Sequence, residues 1–315
     1  FFFFSVMSHK SISFACFLCF VYLIGLTQCW SLSQTWEGND FFNNFWFWDE
    51  NTNGPDPTHG YVYYANQQEA FDWGLVSING NGSVKIGCDC WSVSTGSGRG
   101  SVRITSYGTW DYGLFIADLD HMPEGCGTWP AWWLVGPDWP NGGEIDIIEG
   151  VNNNVYDQST LHTSAGCNMP AGNNSFTGNP GSLDCDAYDN SNSGCSITSP
   201  SSTSYGSGFN SRAGGIYACQ WVDSAISMWY FPRNAIPQDI LNNQANPANW
   251  GLPYANFPLG SDCSSSHFSK LSMVINLTFC GDWAGSVFAS QCGQYGSNCD
   301  AYVQNNPSAF CGAYW

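Results

Sequence analysis

Six glutamates occur in the chain, and two of them share the segment Glu144-Ile145-Asp146-Ile147-Ile148-Glu149. Paired carboxyl groups at a fixed spacing can divide acid–base labour, one staying ionised and the other protonated. The β-branched residues between them predict a strand, in which alternate side chains share a face. Glu144 and Asp146 therefore point the same way, and Glu149 falls out of phase. A one-residue bulge at Ile147 or Ile148 returns Glu149 to the acidic face. The two glutamates then stand about 13 Å apart along the backbone. Side chains leaning inward over Asp146 can approach the roughly 5 to 5.5 Å at which one carboxylate attacks a sugar while the other protonates the leaving oxygen. Asp146 raises the proton affinity of a neighbour by like-charge repulsion, or holds a hydrogen bond to it. An ordinary polar strand face rarely gathers uncompensated acids, because such repulsion is destabilising. No Lys or Arg occurs between Arg103 and Arg212 to neutralise this one. Strained like-charge clusters concentrate at sites.

The elements that must position these groups are short β-like runs separated by Gly, Asn, Ser and Pro. Ser83 to Gly87, Ser101 to Thr105, Gly113 to Asp118, Gly215 to Cys219, Ala225 to Phe231 and the longer Leu271 to Phe279 fit this pattern. No long helical period and no internal repeat appears. Asn168 to Asn210 is rich in Gly, Asn and Ser, and its neighbouring Cys167, Cys185 and Cys195 predict a long surface loop stapled by disulfides. No composition shift divides the chain. The expectation is a single all-β sandwich with long loops.

Aromatic residues surround the acidic segment. Trp129, Trp132, Trp133 and Trp139 precede it, and Trp283 lies in a late Gly-Asp-Trp-Ala-Gly run. An indole can cover the apolar C–H face of a pyranose while its N–H meets a hydroxyl. Tryptophan is also a common core residue, and adjacent Trp132 and Trp133 must point to opposite faces, so at most one of them lines a cleft.

The charge balance, 7 Lys and Arg against 25 Asp and Glu for a net −18, opposes binding to nucleic acid or anionic membranes and suits a neutral substrate. With 17% aromatic and 10% charged residues the chain is not disordered. The basic start Ser8-His9-Lys10, the apolar run Ile12 to Leu26 and Thr27-Gln28-Cys29 predict a signal peptide over residues 1–29, cleaved near Cys29. Residues before Met7 read as leader outside the fold. The apolar run is shorter than the roughly 20 residues of a membrane span. The leader holds Cys16, Cys19 and Cys29 of fifteen cysteines, and the even remainder of twelve predicts disulfides and secretion. Cys88-Asp89-Cys90 has the wrong spacing for zinc, and no metal ligand set is legible.

The segment Trp139 to Gly150 resembles the active-site strand of family 16 glycoside hydrolases in its bulged, laminarinase-type form. Asp56-Pro-Thr-His-Gly60, His121 to Pro130, Leu161-His-Thr163, Tyr230 to Asn234, Ile275 to Gly285 and Asn305 to Phe310 resemble the secreted fungal-type laminarinases. The resemblance runs from about Trp36 to the end and places one catalytic domain over residues 33–315. It implies a β-jelly-roll of two curved antiparallel sheets with a glucan cleft on the concave face. It also implies Glu144 as nucleophile, Glu149 as acid/base, Asp146 as assisting carboxylate, His162 beside the acid/base, and Trp133, Trp139 and Trp283 as sugar platforms. Trp129 and Trp132 fall to the core or behind the site. The implied activity is internal cleavage of β-1,3-glucan, with mixed β-1,3/1,4-glucan left open as a further substrate, by a monomer and without a cofactor. The resemblance allows a structural calcium ion on the convex side.

Two departures stand beside it. The family chain continues past Ala313-Tyr314-Trp315 into a last strand, whose loss would leave unmet strand edges. Cys88, Cys90, Cys219 and Cys311 lack counterparts, which leaves room for extra disulfides. A glucan-binding lectin and a glucan transglycosylase are the rival readings. The lectin has no use for both glutamates in register, whereas the transglycosylase uses the same nucleophile. Of the sequons at Asn81, Asn173 and Asn276, the first two lie in turns open to glycans, and the third lies inside a strand.

Overall fold

The computed structural model describes residues 3–9, 30–96 and 98–315; the apolar run Ile12 to Leu26 and the cleavage point near Cys29 lie outside them. Two large antiparallel sheets pack face to face. One runs, from edge to edge, Asn179–Pro180, Cys195–Thr198, Gln158–His162, Glu144–Glu149, Thr128–Val135, Leu271–Phe279, Arg103–Trp110 and Phe45–Phe47. The other runs Ala255–Pro258, Ala225–Pro232, Gly215–Val222, Gly113–Leu119, Phe3–His9 and Trp30–Trp36. Helices among the described residues are short, and none is long and apolar enough to cross a membrane.

Alternation sorts the strands onto the core. Phe115, Ala117, Tyr217, Cys219 and Trp221 meet Trp132, Leu134, Ile145 and Ile275 between the sheets. Leu114, Ile116, Ile216 and Ala218, on the opposite face of the same strands, are covered by Ile240 and Ala245. Leu271–Phe279 is covered on both faces: Met273 and Ile275 join the main core and Leu277 and Phe279 a second cluster on one face, while Val274, Asn276 and Thr278 are buried on the other. The long loop expected after Cys167 contributes more than a loop. Cys195–Thr198 pairs with Gln158–His162, a pairing its Ser- and Gly-rich flanks conceal.

The segment set aside as leader is also placed in the fold. Phe3–His9 lies between Gly113–Leu119 and Trp30–Trp36 and pairs antiparallel with both. Val6 points into the main core and Met7 into the outer cluster. Burying these two side chains contributes roughly 3–6 kcal/mol. A chain beginning at Trp30 would leave two strand edges open, and its Tm is expected to fall by about 10 °C in paired thermal melts. Equal melting temperatures would mean that this strand adds nothing to stability.

Ten of the twelve cysteines outside residues 1–29 pair, as Cys90–Cys311, Cys126–Cys292, Cys167–Cys263, Cys185–Cys195 and Cys280–Cys299. The other two, Cys88 and Cys219, are buried free thiols, so the four cysteines without family counterparts form one extra bridge, Cys90–Cys311. Cys219 faces the inter-sheet core, and Cys88 donates toward the Phe310 and Ala313 carbonyls.

Candidate active site

The acidic strand lies between Thr128–Val135 and Gln158–His162. Trp132 pairs with Ile148 but Trp133 with Asp146, so Ile147 is the extra residue of a bulge. Ile145, Ile147 and Ile148 all enter the main core. Two consecutive inward residues reset the phase, so Glu149 returns to the face of Glu144 and Asp146. A regular strand would instead expose Ile148, which contributes roughly 1.5–3 kcal/mol when buried, and aim the Glu149 carboxyl at the core. The core thus selects the bulged register.

Trp129 Nε1 donates to Glu149 Oε1 at 2.9 Å. An indole N–H only donates, so Oε1 is the accepting oxygen and a proton on this carboxyl resides on Oε2. Burial pushes the Glu149 carboxyl up to about 8, with the Trp129 bond opposing and the Glu144 charge adding. Glu144 Oε2 accepts the indole N–H of Trp139, a residue left 42% exposed.

Asp146 is buried between them, its Oδ2 3.4 Å from His162 Nε2. Burial, followed by the charges of Glu144 and Glu149, holds the Asp146 carboxyl well above the usual carboxylate range. His162 Nδ1 lies 2.9 Å from Asn192 Oδ1, an acceptor, so Nδ1 carries a proton. The other ring nitrogen, Nε2, faces Asp146.

Trp133 Nε1 donates to Asn276 Oδ1 at 2.8 Å, and Asn276 Nδ2 donates to Tyr64 Oη at 3.2 Å. The amide of the third sequon is thus buried and engaged at both its oxygen and its nitrogen. The Arg103 guanidinium packs over the rings of Trp48 and Trp133, 4.4 and 5.0 Å from their centroids, and is close enough to Glu144 to interact with its charge. Trp283 meets Trp129 edge-on at 5.9 Å.

Glu144, Asp146, Glu149, Trp133, Trp139, His162 and Trp283 are therefore brought into one neighbourhood. Trp132 is core, as expected, but Trp129 is half-exposed and bonds the carboxyl of Glu149 directly. Its spacing of four from Trp133 along one strand face was the available signal. Arg103, Asn192 and Asn276 reach the site from segments distant in sequence, and no local pattern marks them. Among the described residues no group of three or more His, Cys, Asp or Glu side chains converges as a metal cage.

A family model described as XgeA-like, catalytic GH16 domain, matches residues 48–315. A probable endo-1,3(4)-β-glucanase of Aspergillus fumigatus is 41% identical over 298 residues, covering 92% of this chain, which in turn spans 44% of that relative's length. The structure of GH16 laminarinase 16A from Phanerochaete chrysosporium, with β-glucans in its donor and acceptor sites, superposes with a TM-score of 0.83. It is 43% identical, covering 89% of this chain and 94% of that one. An elongating GH family 16 β-1,3-glucosyltransferase gives the same TM-score, 0.83, at 39% identity, covering 90% of this chain and 96% of its own. These matches agree with the β-jelly-roll expected from sequence.

Proposed function

Because this chain belongs to glycoside hydrolase family 16, we propose that it is a secreted, monomeric, endo-acting β-1,3-glucanase that retains anomeric configuration. The observation that carries the reading is the bulge at Ile147, which sets three carboxyl groups on one face with an indole N–H on each glutamate.

In this reading Glu144 attacks the anomeric carbon, oriented by the Trp139 N–H. The glycosidic C–O bond breaks as the leaving oxygen takes the Oε2 proton of Glu149, leaving a glycosyl ester on Glu144. Glu149, now ionised, removes a proton from water, whose oxygen attacks the same carbon and releases Glu144. The buried setting that keeps Glu149 protonated near neutrality suits the first step. Asp146 keeps the cluster's proton affinity high, with His162 Nε2 facing its carboxyl. Trp133, Trp139 and Trp283 offer flat apolar faces to successive sugars. A net charge of −18 favours a neutral polymer as substrate. Five disulfides support export to an oxidising compartment.

The likeness to a glucosyltransferase favours a second reading of the same site, in which a sugar hydroxyl replaces water in the second step. Reducing-end release from laminarin, lichenan and carboxymethylcellulose tests the proposal. Laminarin is expected to yield oligosaccharides that are initially β-anomers by NMR, and carboxymethylcellulose to yield none. Initial α-anomers would sink the retaining mechanism, and products longer than the starting oligosaccharide would favour transfer.

A further inference from the structure

Behind the acidic strand lies a buried polar cluster that the mechanism above does not use. We infer that Asp157, acting through Tyr254 and Ser159 as a protonated carboxyl, is the positioning residue that locks the bulge at Ile147 and so aims Glu149. The inference rests on the reading of Glu149 as acid/base.

A bulge frees backbone groups from the ladder, and buried ones need partners. Here the Glu149 N–H donates to Asp157 Oδ1 at 3.0 Å, and the Ile147 carbonyl accepts from Ser159 Oγ at 3.0 Å. Tyr254 Oη links the two ends, lying 2.8 Å from Asp157 Oδ2, 2.7 Å from Ser159 Oγ and 3.2 Å from the Ile147 oxygen. Asp157 is fully buried and anchored by its own backbone, its N–H donating to Ser204 Oγ and its carbonyl accepting from the Ser199 N–H.

Counting protons decides the charge state. Each hydroxyl has one hydrogen to donate. With Asp157 ionised, Tyr254 must donate to it, and the single Ser159 proton cannot serve both Tyr254 and the Ile147 carbonyl. Two of the four contacts are then left without a hydrogen. With Asp157 protonated on Oδ2, one directed chain closes: Asp157 to Tyr254, Tyr254 to Ser159, and Ser159 to the Ile147 carbonyl. Only the longest of them, Tyr254 Oη to the Ile147 oxygen at 3.2 Å, then lacks a hydrogen, and no ionised carboxylate is buried behind Glu149. Burial, above all, also holds this carboxyl well above its usual range, against hydrogen bonds from the Tyr254 hydroxyl and from the backbone N–H groups of Glu149 and Gln158. The titratable groups around it are Glu149, Asp146, Tyr205, Tyr217 and Tyr254.

An amide reproduces a protonated carboxyl: its oxygen accepts from the Glu149 N–H and its nitrogen donates to Tyr254. Asp157→Asn is therefore expected to keep kcat on laminarin within about threefold of wild type and to leave the alkaline limb of the pH profile in place. Asp157→Ala frees the bulge, and a displacement near 1 Å lowers kcat by about 100-fold, with KM little changed. That loss is expected to shrink on an aryl glucoside with a good leaving group, which needs no acid in the first step. Tyr254→Phe, which interrupts the chain but keeps the ring, is expected to show the same substrate-dependent loss. Far-UV circular dichroism and thermal melts identify any variant that has simply unfolded. An Asp157→Asn loss as deep as that of a folded Asp157→Ala would overturn the protonated role. Wild-type kcat in folded Asp157→Ala and Tyr254→Phe would overturn positioning altogether. Wild-type protein inactive on every glucan would defeat the enzymatic reading itself, a result the variants cannot mimic.

Discussion

Glu144→Gln is expected to lower kcat on laminarin by about 10⁴-fold or more, equivalent to roughly 5.5 kcal/mol of transition-state stabilisation. The amide keeps the shape of the side chain and an oxygen that can accept the Trp139 N–H, but it cannot form the glycosyl ester. Binding should change little, because the sugar platforms at Trp133, Trp139 and Trp283 are untouched. Laminarin titrated against the intrinsic tryptophan fluorescence of the variant would report this separation of binding from turnover. Turnover within tenfold of wild type would remove Glu144 from the nucleophile's role.

Glu149→Ala is expected to cost about 10²- to 10⁴-fold on laminarin, the usual contribution of a positioned acid. The cost should be far smaller in the first step on substrates whose leaving group needs no proton. The wild-type pH profile offers an independent readout. Cleavage requires protonated Glu149, so kcat/KM should decline as pH rises through about 8 and fall tenfold per unit beyond it. Glu149→Ala should lack that limb. The same shift bears on stability. Its folded value lies above its unfolded one, so the folded state binds the proton more tightly. The stabilisation is complete below the unfolded carboxylate value near 4.5 and is lost as pH rises through about 8. Melts of Glu149→Gln between pH 5 and 9 should therefore fall less steeply than those of wild type. Parallel curves would contradict the burial argument.

Much of this protein was legible in its sequence because the determining physics is local. The β-like runs Gly113 to Asp118, Gly215 to Cys219, Ala225 to Phe231 and Leu271 to Phe279 fall in the strands Gly113–Leu119, Gly215–Val222, Ala225–Pro232 and Leu271–Phe279. The spacing of Glu144 and Glu149, one residue out of phase, called for a bulge, and the fold places it at Ile147 because three isoleucines seek the core. What remained hidden depends on contacts between distant segments. Cys88 and Cys219 stand beside Cys90 and Cys311 as cysteines without family counterparts; only tertiary position pairs the latter two and leaves the former without a sulfur partner. Phe3–His9 reads as leader, yet it fills a gap between two strands that are brought side by side only when the sheet forms. Asn192 fixes the proton on His162 from thirty residues away, and Tyr254 reaches the bulge carbonyl from more than one hundred. The sequence by itself determined which residues can do the chemistry and on which strand they lie, since side-chain type and backbone period are local properties. The tertiary structure decided which oxygen of Glu149 accepts, which nitrogen of His162 carries its proton and what holds the bulge, because hydrogen bonds between remote segments exist only after the chain has folded.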